Sequence, residues 1–194
     1  MLNTVNLFIA LVVAAITYGT PLLFGTLGEV LTEKSGSLNL GVEGIMFMGG
    51  AIGLGGVFYY EKAVESPSAF LAVLIGLLGA FIGGGISAVG GMVYITTIAG
   101  CVWNHEGLSG VGWLAVALVI FCLWRPLSAI WGSVLFGALM ILYLRLTIPF
   151  IPTQLYKILP YVVTLVVLII VSLRKKREDQ PPTSLGLNYF REDR

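Results

Sequence analysis

The sequence predicts an all-α, polytopic transmembrane helix bundle with about six spans, and three observations predict it. Of 194 residues, 57% are apolar and 11% are charged, against about 25% charged in a typical soluble domain. Ten charged residues lie between Arg174 and Arg194, which leaves 11 for the first 173 positions. Those 11 are spaced so that long charge-free runs separate them. Such a chain has too few polar groups to cover a compact water-soluble surface, so a soluble enzyme is excluded.

A helix needs about 20 residues to cross a hydrocarbon core ~30 Å thick. Residues 1–28 carry no charged side chain, and Leu7 to Leu27 is the first span, with Pro21 as its kink or end. No Lys or Arg precedes this run, which argues against a cleaved signal peptide. Gly44 to Tyr60 is the second run and begins near Asn39. Ser66 to Asn104 is too long for one straight crossing, and its strongest part is Leu71 to Ile86. The cluster Gly83, Gly84, Gly85, Gly90, Gly91 predicts a break. Met92 to Gly100 then reads as a helix extension, a short second pass or a re-entrant piece, which survives at membrane depth only under protein or water cover. Val111 to Trp124 is a short fourth run, Pro126 to Leu144 the fifth and Ile158 to Leu173 the sixth.

These runs make one membrane domain over residues 1–173 and a polar tail over 174–194. The basic run Arg174, Lys175, Lys176, Arg177 places the tail in the cytoplasm. An even number of spans puts the N-terminus there too; a second crossing within 66–104 would reverse it. The net charge of +1 and the lack of a basic stripe outside the tail point away from nucleic acid. Cys122 lies in an apolar run, so it and Cys101 do not form a disulfide framework. His105 alone cannot build a metal site.

Glycine is abundant inside the apolar runs. Gly49-xxx-Gly53 and Gly79-xxx-Gly83 have the small-residue spacing that lets helices approach closely in lipid. That spacing serves packing within one bundle or a dimer seam. Glu43 stands near the start of a long apolar run. A carboxylate at mid-membrane costs about 2.5–3.5 kcal/mol on insertion scales. With Asn39 as N-cap, Glu43 falls in the first helical turn, where the helix dipole favours an anion. It either stabilises that helix start or lines a substrate path. Arg125-Pro126 reads as a cytoplasmic turn, with proline in the first turn of the next helix. Pro149 and Pro152 break the chain before the last span, and Trp124, Tyr156 and Tyr161 suit interfacial anchoring. Glu29, Glu33 and Glu106 read as solvated loop charges. No P-loop, zinc-protease helix or nucleophile elbow occurs. No enzymatic chemistry, cofactor or metal is expected.

Ser35-Gly36-Ser-Leu-Asn39-Leu-Gly41-Val-Glu43-Gly44, in the segment from Thr20 to Met46, resembles the permease subunits of ABC importers for nucleosides and simple sugars, relatives of the ribose and branched-chain amino-acid permeases. The stretch from Ala115 to Gly137 is similar too, with Cys122 where the family shows glycine and Arg125 before the proline. So is the end, in the stretches Pro152 to Tyr161 and Ser184 to Tyr189. The resemblance implies a permease in the inner membrane that forms the translocation path and does no chemistry. It implies a separate ABC ATPase, a second permease subunit and an extracytoplasmic binding protein, with lipid around the bundle. Ser35, Gly36, Asn39, Gly41, Glu43 and Gly44 become candidates for the path. The family's central part, with its ATPase-coupling loop, is missing between Gly83 and Gly91. A shortened, non-transporting family remnant is therefore the first alternative, and a small membrane enzyme acting on lipids the second.

Overall fold

The computed structural model describes residues 4–37, 39–104, 108–145, 152–174, 181–183 and 185. The described residues form an all-α bundle of six helices in chain order: α1 Thr4–Lys34, α2 Val42–Ala63, α3 Ala69–Thr97, α4 Val111–Phe121, α5 Pro126–Arg145 and α6 Thr153–Arg174. Asn6–Lys34 and Val42–Ala63 are each long and apolar enough to cross a bilayer alone, and the other apolar stretches are shorter. His105, Glu106, Pro149 and the tail beyond Arg174, except 181–183 and Leu185, lie outside the described residues.

The first correction concerns α1. Pro21 does not end it; the helix runs on to Lys34. Proline removes one backbone hydrogen bond and crowds the preceding turn, but packing on both sides holds this segment. Around Gly19, α1 lies against the Ser133 backbone of α5, and at Gly137 the two helices meet so closely that a Cβ would stand 2.9 Å from the Gly19 Cα. Gly90 of α3 lies as close to Pro21 itself, where a Cβ would meet the Pro21 carbonyl oxygen at 2.6 Å. The helix stops at Gly36, whose φ of 94° suits glycine. There Ser37 N–H donates to the Thr32 carbonyl and Gly36 N–H to that of Glu33, a Schellman motif.

The glycine break also takes a definite form. Gly85 has φ 73° and ψ −150°, and α3 folds back there into two arms, 69–84 and 86–97. In a straight helix, residues 76 and 92 would lie ~24 Å apart. Instead both face Gly53 of α2, where a Cβ would stand 2.9 Å from the Gly76 oxygen and 2.6 Å from Met92 Cγ. Ala80 of one arm and Val89 of the other share a small core with Met92. The arms reach ~24 Å and ~18 Å, each short of a full crossing, so 86–97 is a returning piece rather than an extension.

Helix α4, only 11 residues long, is the centre of the bundle. Val111, Leu114, Ala115, Leu118 and Val119 on it are all buried. The main core joins Val111, Leu114 and Leu118 to Leu22 of α1, Met46 of α2 and Phe136 of α5. Helix α5 begins at Pro126, the position where a missing N–H costs nothing. Large apolar side chains cover the outside: Phe8, Phe70, Leu127, Trp131 and Ile82, the last 83% exposed. This inverts the water-soluble arrangement and fits a membrane protein.

Candidate functional site

The longer α1 carries a stripe inward: Leu22, Thr26, Glu29 and Glu33 are spaced by three or four residues, share one face and are buried. Glu29 is 0% exposed and Glu33 5%. This corrects their reading as solvated loop charges. Tertiary packing holds the helix past Pro21, and the acids follow it into the bundle.

Each acid meets a donor from a different element. Asn39 Nδ2 donates to Glu29 Oε2 at 2.9 Å. The Trp124 indole N–H donates to Glu33 Oε2. The Trp124 indole N–H is thus turned toward α1. Gly110 N–H donates to Glu43 Oε1 at 3.1 Å. Thr26 Oγ1 donates to the Ala115 carbonyl at 3.3 Å. Glu29 Oε1 and Glu43 Oε2 are buried with no hydrogen-bond partner among the described residues. A hydrogen bond to a charged group contributes about 1.5–3 kcal/mol, similar to the ~2.5–3.5 kcal/mol cost of a carboxylate at mid-membrane. One donor per acid offsets part of that cost, and the unpartnered oxygens of Glu29 and Glu43 leave the rest unmet.

Asn39 does not occupy the N-cap position; Gly41 does, without a side-chain cap bond. The Asn39 carboxamide works twice instead. Its Oδ1 accepts from Gly41 N–H at 3.0 Å, and its Nδ2 holds Glu29. The side chain reached toward buried α1 because Glu29 stands there needing a donor. Glu43 is the second residue of α2, in the first turn. It is wedged against α4: a side chain at Gly112 would come 2.7 Å from the Glu43 nitrogen. Tyr161 of α6 donates from its hydroxyl to the Gly110 carbonyl at 3.4 Å. Gly110, the N-cap of α4 at φ 83°, is thus gripped from α2 and α6.

The six motif residues therefore part into two groups. Asn39 and Glu43 make polar contacts that join helices. Ser35 donates to the Thr32 carbonyl at 2.6 Å and is exposed; Gly36 stops α1; Gly41 starts α2; Gly44 is exposed with open space beside it. Gly49, Gly53 and Gly79 lie in the α2–α3 contact. A Cβ at Gly49 would stand 2.5 Å from the Ala88 carbonyl carbon, and one at Gly79 would stand 3.6 Å from the Gly53 Cα. The surroundings of Gly83 lie outside the described residues. Arg125 and Pro126 form the α4–α5 turn, preceded by Leu123 and Trp124 at φ 53° and 55°. Cys122 itself is not left-handed; its Sγ packs at Gly132. Sequence reasoning missed Glu29 and Glu33. Their spacing with Leu22 and Thr26 was the available signal.

The arrangement offers carboxylate acceptors that tie α1 and α2 to each other's flanking loop and to the two ends of α4, with α6 joined through the Tyr161 hydroxyl. Among the described residues no group of three His, Cys, Asp or Glu is placed to hold a metal ion.

The chain is similar over part of its length to three ABC transporter permeases. It is 40% identical over 68 residues to TsgC13 of Haloferax volcanii, provisionally named a glucose ABC transporter permease protein. It is 35% identical over 79 residues to NupC of Lactococcus lactis, a nucleoside ABC transporter permease protein. It is 37% identical over 60 residues to NupQ of Bacillus subtilis, a guanosine ABC transporter permease protein. These matches take in 35%, 40% and 31% of this chain and 20%, 24% and 18% of the respective relatives. No protein-family model and no solved structure matches the chain.

Proposed function

We propose that the chain is a membrane-spanning permease subunit of an ABC importer for nucleosides or simple sugars. Residues 1–173 form the embedded domain and 174–194 a cytoplasmic tail. The observation that carries this reading is the partial likeness to three ABC transporter permeases from three organisms, two of them named for nucleosides. The outward apolar side chains support embedding in lipid. The buried acids support a bundle whose helix junctions are fixed by polar contacts, as a protein that must hold a path open in lipid requires. The Ser35–Gly44 segment organises the α1–α2–α4 junction beside that path, with Glu43 as its inward acid. The chain contains no nucleotide-binding motif, so the free energy comes from a separate ABC ATPase. A second permease subunit and an extracytoplasmic binding protein complete the assembly.

The test is uptake of radiolabelled guanosine and glucose in cells co-expressing the chain with an ABC ATPase, a partner permease and a binding protein. The expected result is uptake of one solute that is lost without this chain. A reporter active only in the cytoplasm, fused after Arg194, reads topology in the same cells. Uptake indifferent to this chain, together with a silent cytoplasmic reporter, would overturn the reading.

A further inference from the structure

Glu29 stands on the inner stripe of α1 with no exposed surface, and its Oε1 has no partner among the described residues. Its Oε2 accepts from Asn39 Nδ2 at 2.9 Å. Glu33, a second buried acid, follows one helical turn along, where side chains on one face are neighbours. We propose that Glu29 Oε1 is a proton-binding site: one proton from solvent binds there as the α1–α2–α4 junction assembles, and leaves when the junction opens. The proposal does not depend on which solute the chain serves.

Three observations carry the inference. First, the nearby donors are committed elsewhere. The Thr26 hydroxyl donates to the Ala115 carbonyl, the Ser87 hydroxyl to that of Gly25 at 3.5 Å and the Thr32 hydroxyl to that of Gly28 at 2.9 Å. The Trp124 indole N–H serves Glu33. Second, the elements packed against α1 bring no compensating cation. Helices α3 and α4 carry no charged side chain, and α5 has Arg145 only at its far end. Helix α2 brings Glu43, a like charge, in its first turn, and Lys62 in its last. Lys34 and Arg125 are exposed. Third, the surroundings are closely packed. A Cβ at Gly28 would stand 2.8 Å from the Ser87 nitrogen, and one at Gly25 would stand 2.9 Å from Ala115 Cβ. A hydrated cation needs room there, whereas a proton needs none.

The ligand follows from the cost of the charge. A buried carboxylate without compensation takes up a proton instead of staying ionised. Two ionised acids one turn apart on a helix also repel each other. A proton on Oε1 removes the charge of Glu29 and leaves Oε2 to accept from Asn39, so the junction keeps its contact. In the unfolded chain Glu29 meets water, where a glutamic acid releases its proton above about pH 4.3. Assembly at neutral pH therefore binds one proton that the unfolded chain does not hold. The sign follows: the assembled form loses stability as pH rises, by up to about tenfold in the unfolding constant per pH unit.

The test is infrared spectroscopy of the full chain in an ester-free detergent at neutral pH, with unfolding followed from about pH 5 to 8 as a second readout. A carboxylic-acid C=O band is expected in the native chain. It should vanish at the same pH when the chain is denatured, a comparison that needs no variant. Glu29→Gln should remove the band, and Glu33→Gln should retain it. The unfolding constant of the native chain should rise with pH more steeply than that of Glu29→Gln, by up to about tenfold per pH unit. A native chain with carboxylate bands only would overturn the site. So would a band that Glu33→Gln removes and Glu29→Gln keeps, or equal pH slopes in the native chain and Glu29→Gln. A chain without the band that gains stability from sodium or potassium at constant ionic strength would put a bound cation at Oε1 and refute the proton.

Discussion

Two glycines of α2, five residues apart, should respond in opposite directions to the same added methyl group. At Gly49 a Cβ would stand 2.5 Å from the Ala88 carbonyl carbon, whereas ordinary contact begins at 3.4 Å. The obstacle is backbone, so α2 and α3 must part by ~1 Å, a gap that forfeits a quarter to a half of the dispersion at each facing atom. Overpacking costs about 1–3 kcal/mol, and a rigid obstacle puts Gly49→Ala near the upper end. At Gly44 a Cβ meets nothing within 4 Å. There alanine gains only helix propensity, about 1 kcal/mol at most. Gly49→Ala shares that gain, so the two variants should differ by the packing cost alone, about 3 kcal/mol. For a chain of this size each kcal/mol moves the melting temperature by about 2–4 °C, so the variants should melt about 6–12 °C apart. Cys122, 2% exposed, is a built-in probe. In a Cys101→Ser background, a thiol-reactive dye reports unfolding of the detergent-solubilised protein as Cys122 emerges. If Gly49→Ala melted with or above Gly44→Ala, the close α2–α3 approach would be wrong.

Further predictions use the same melt or simple chemistry. Asn39→Ala removes the donor held by Glu29 and should cost about 1.5–3 kcal/mol; Glu29→Gln keeps an acceptor for Asn39 and should cost less, so the reverse order would break the assigned pairing. Gly85→Ala has open space for its Cβ, so its cost is backbone strain alone, about 1–3 kcal/mol; an unchanged melt would mean that α3 does not turn at Gly85. Glu43→Gln should insert normally, because an isosteric amide still accepts from Gly110 N–H; under the proposed function, uptake in the co-expressing cells should fall, and unchanged uptake would assign Glu43 to the helix start only. In the native chain a maleimide should label exposed Cys101 and spare buried Cys122, which intact mass before and after denaturation would check.

The sequence by itself determined the helical membrane class, because charge-free runs of that length have no other comfortable solvent. It determined the turn at Arg125-Pro126, because proline fits a helix start and resists its interior. It determined that the apolar run after Ser66 breaks among its glycines. Glu43 was legible in the first turn of α2 from the polar loop before it. The tertiary structure alone decided where α1 ends. Locally, Pro21 followed by acids reads as a span giving way to a loop. Packing against Ser133, Gly137 and Gly90 carries the helix through that point to Lys34. Glu29 and Glu33 then turn inward on the stripe begun by Leu22 and Thr26, and Asn39 and Trp124 answer them from elements distant in sequence. The direction taken after Gly85 was likewise tertiary. A glycine permits a reversal, but the face of α2 at Gly49 and Gly53, free of side chains, is what the returning arm packs against. Spacing along one chain encodes which residues share a helix face. Which donor meets a buried acid depends on how helices cross, and that crossing is set by the backbone approach that small residues allow.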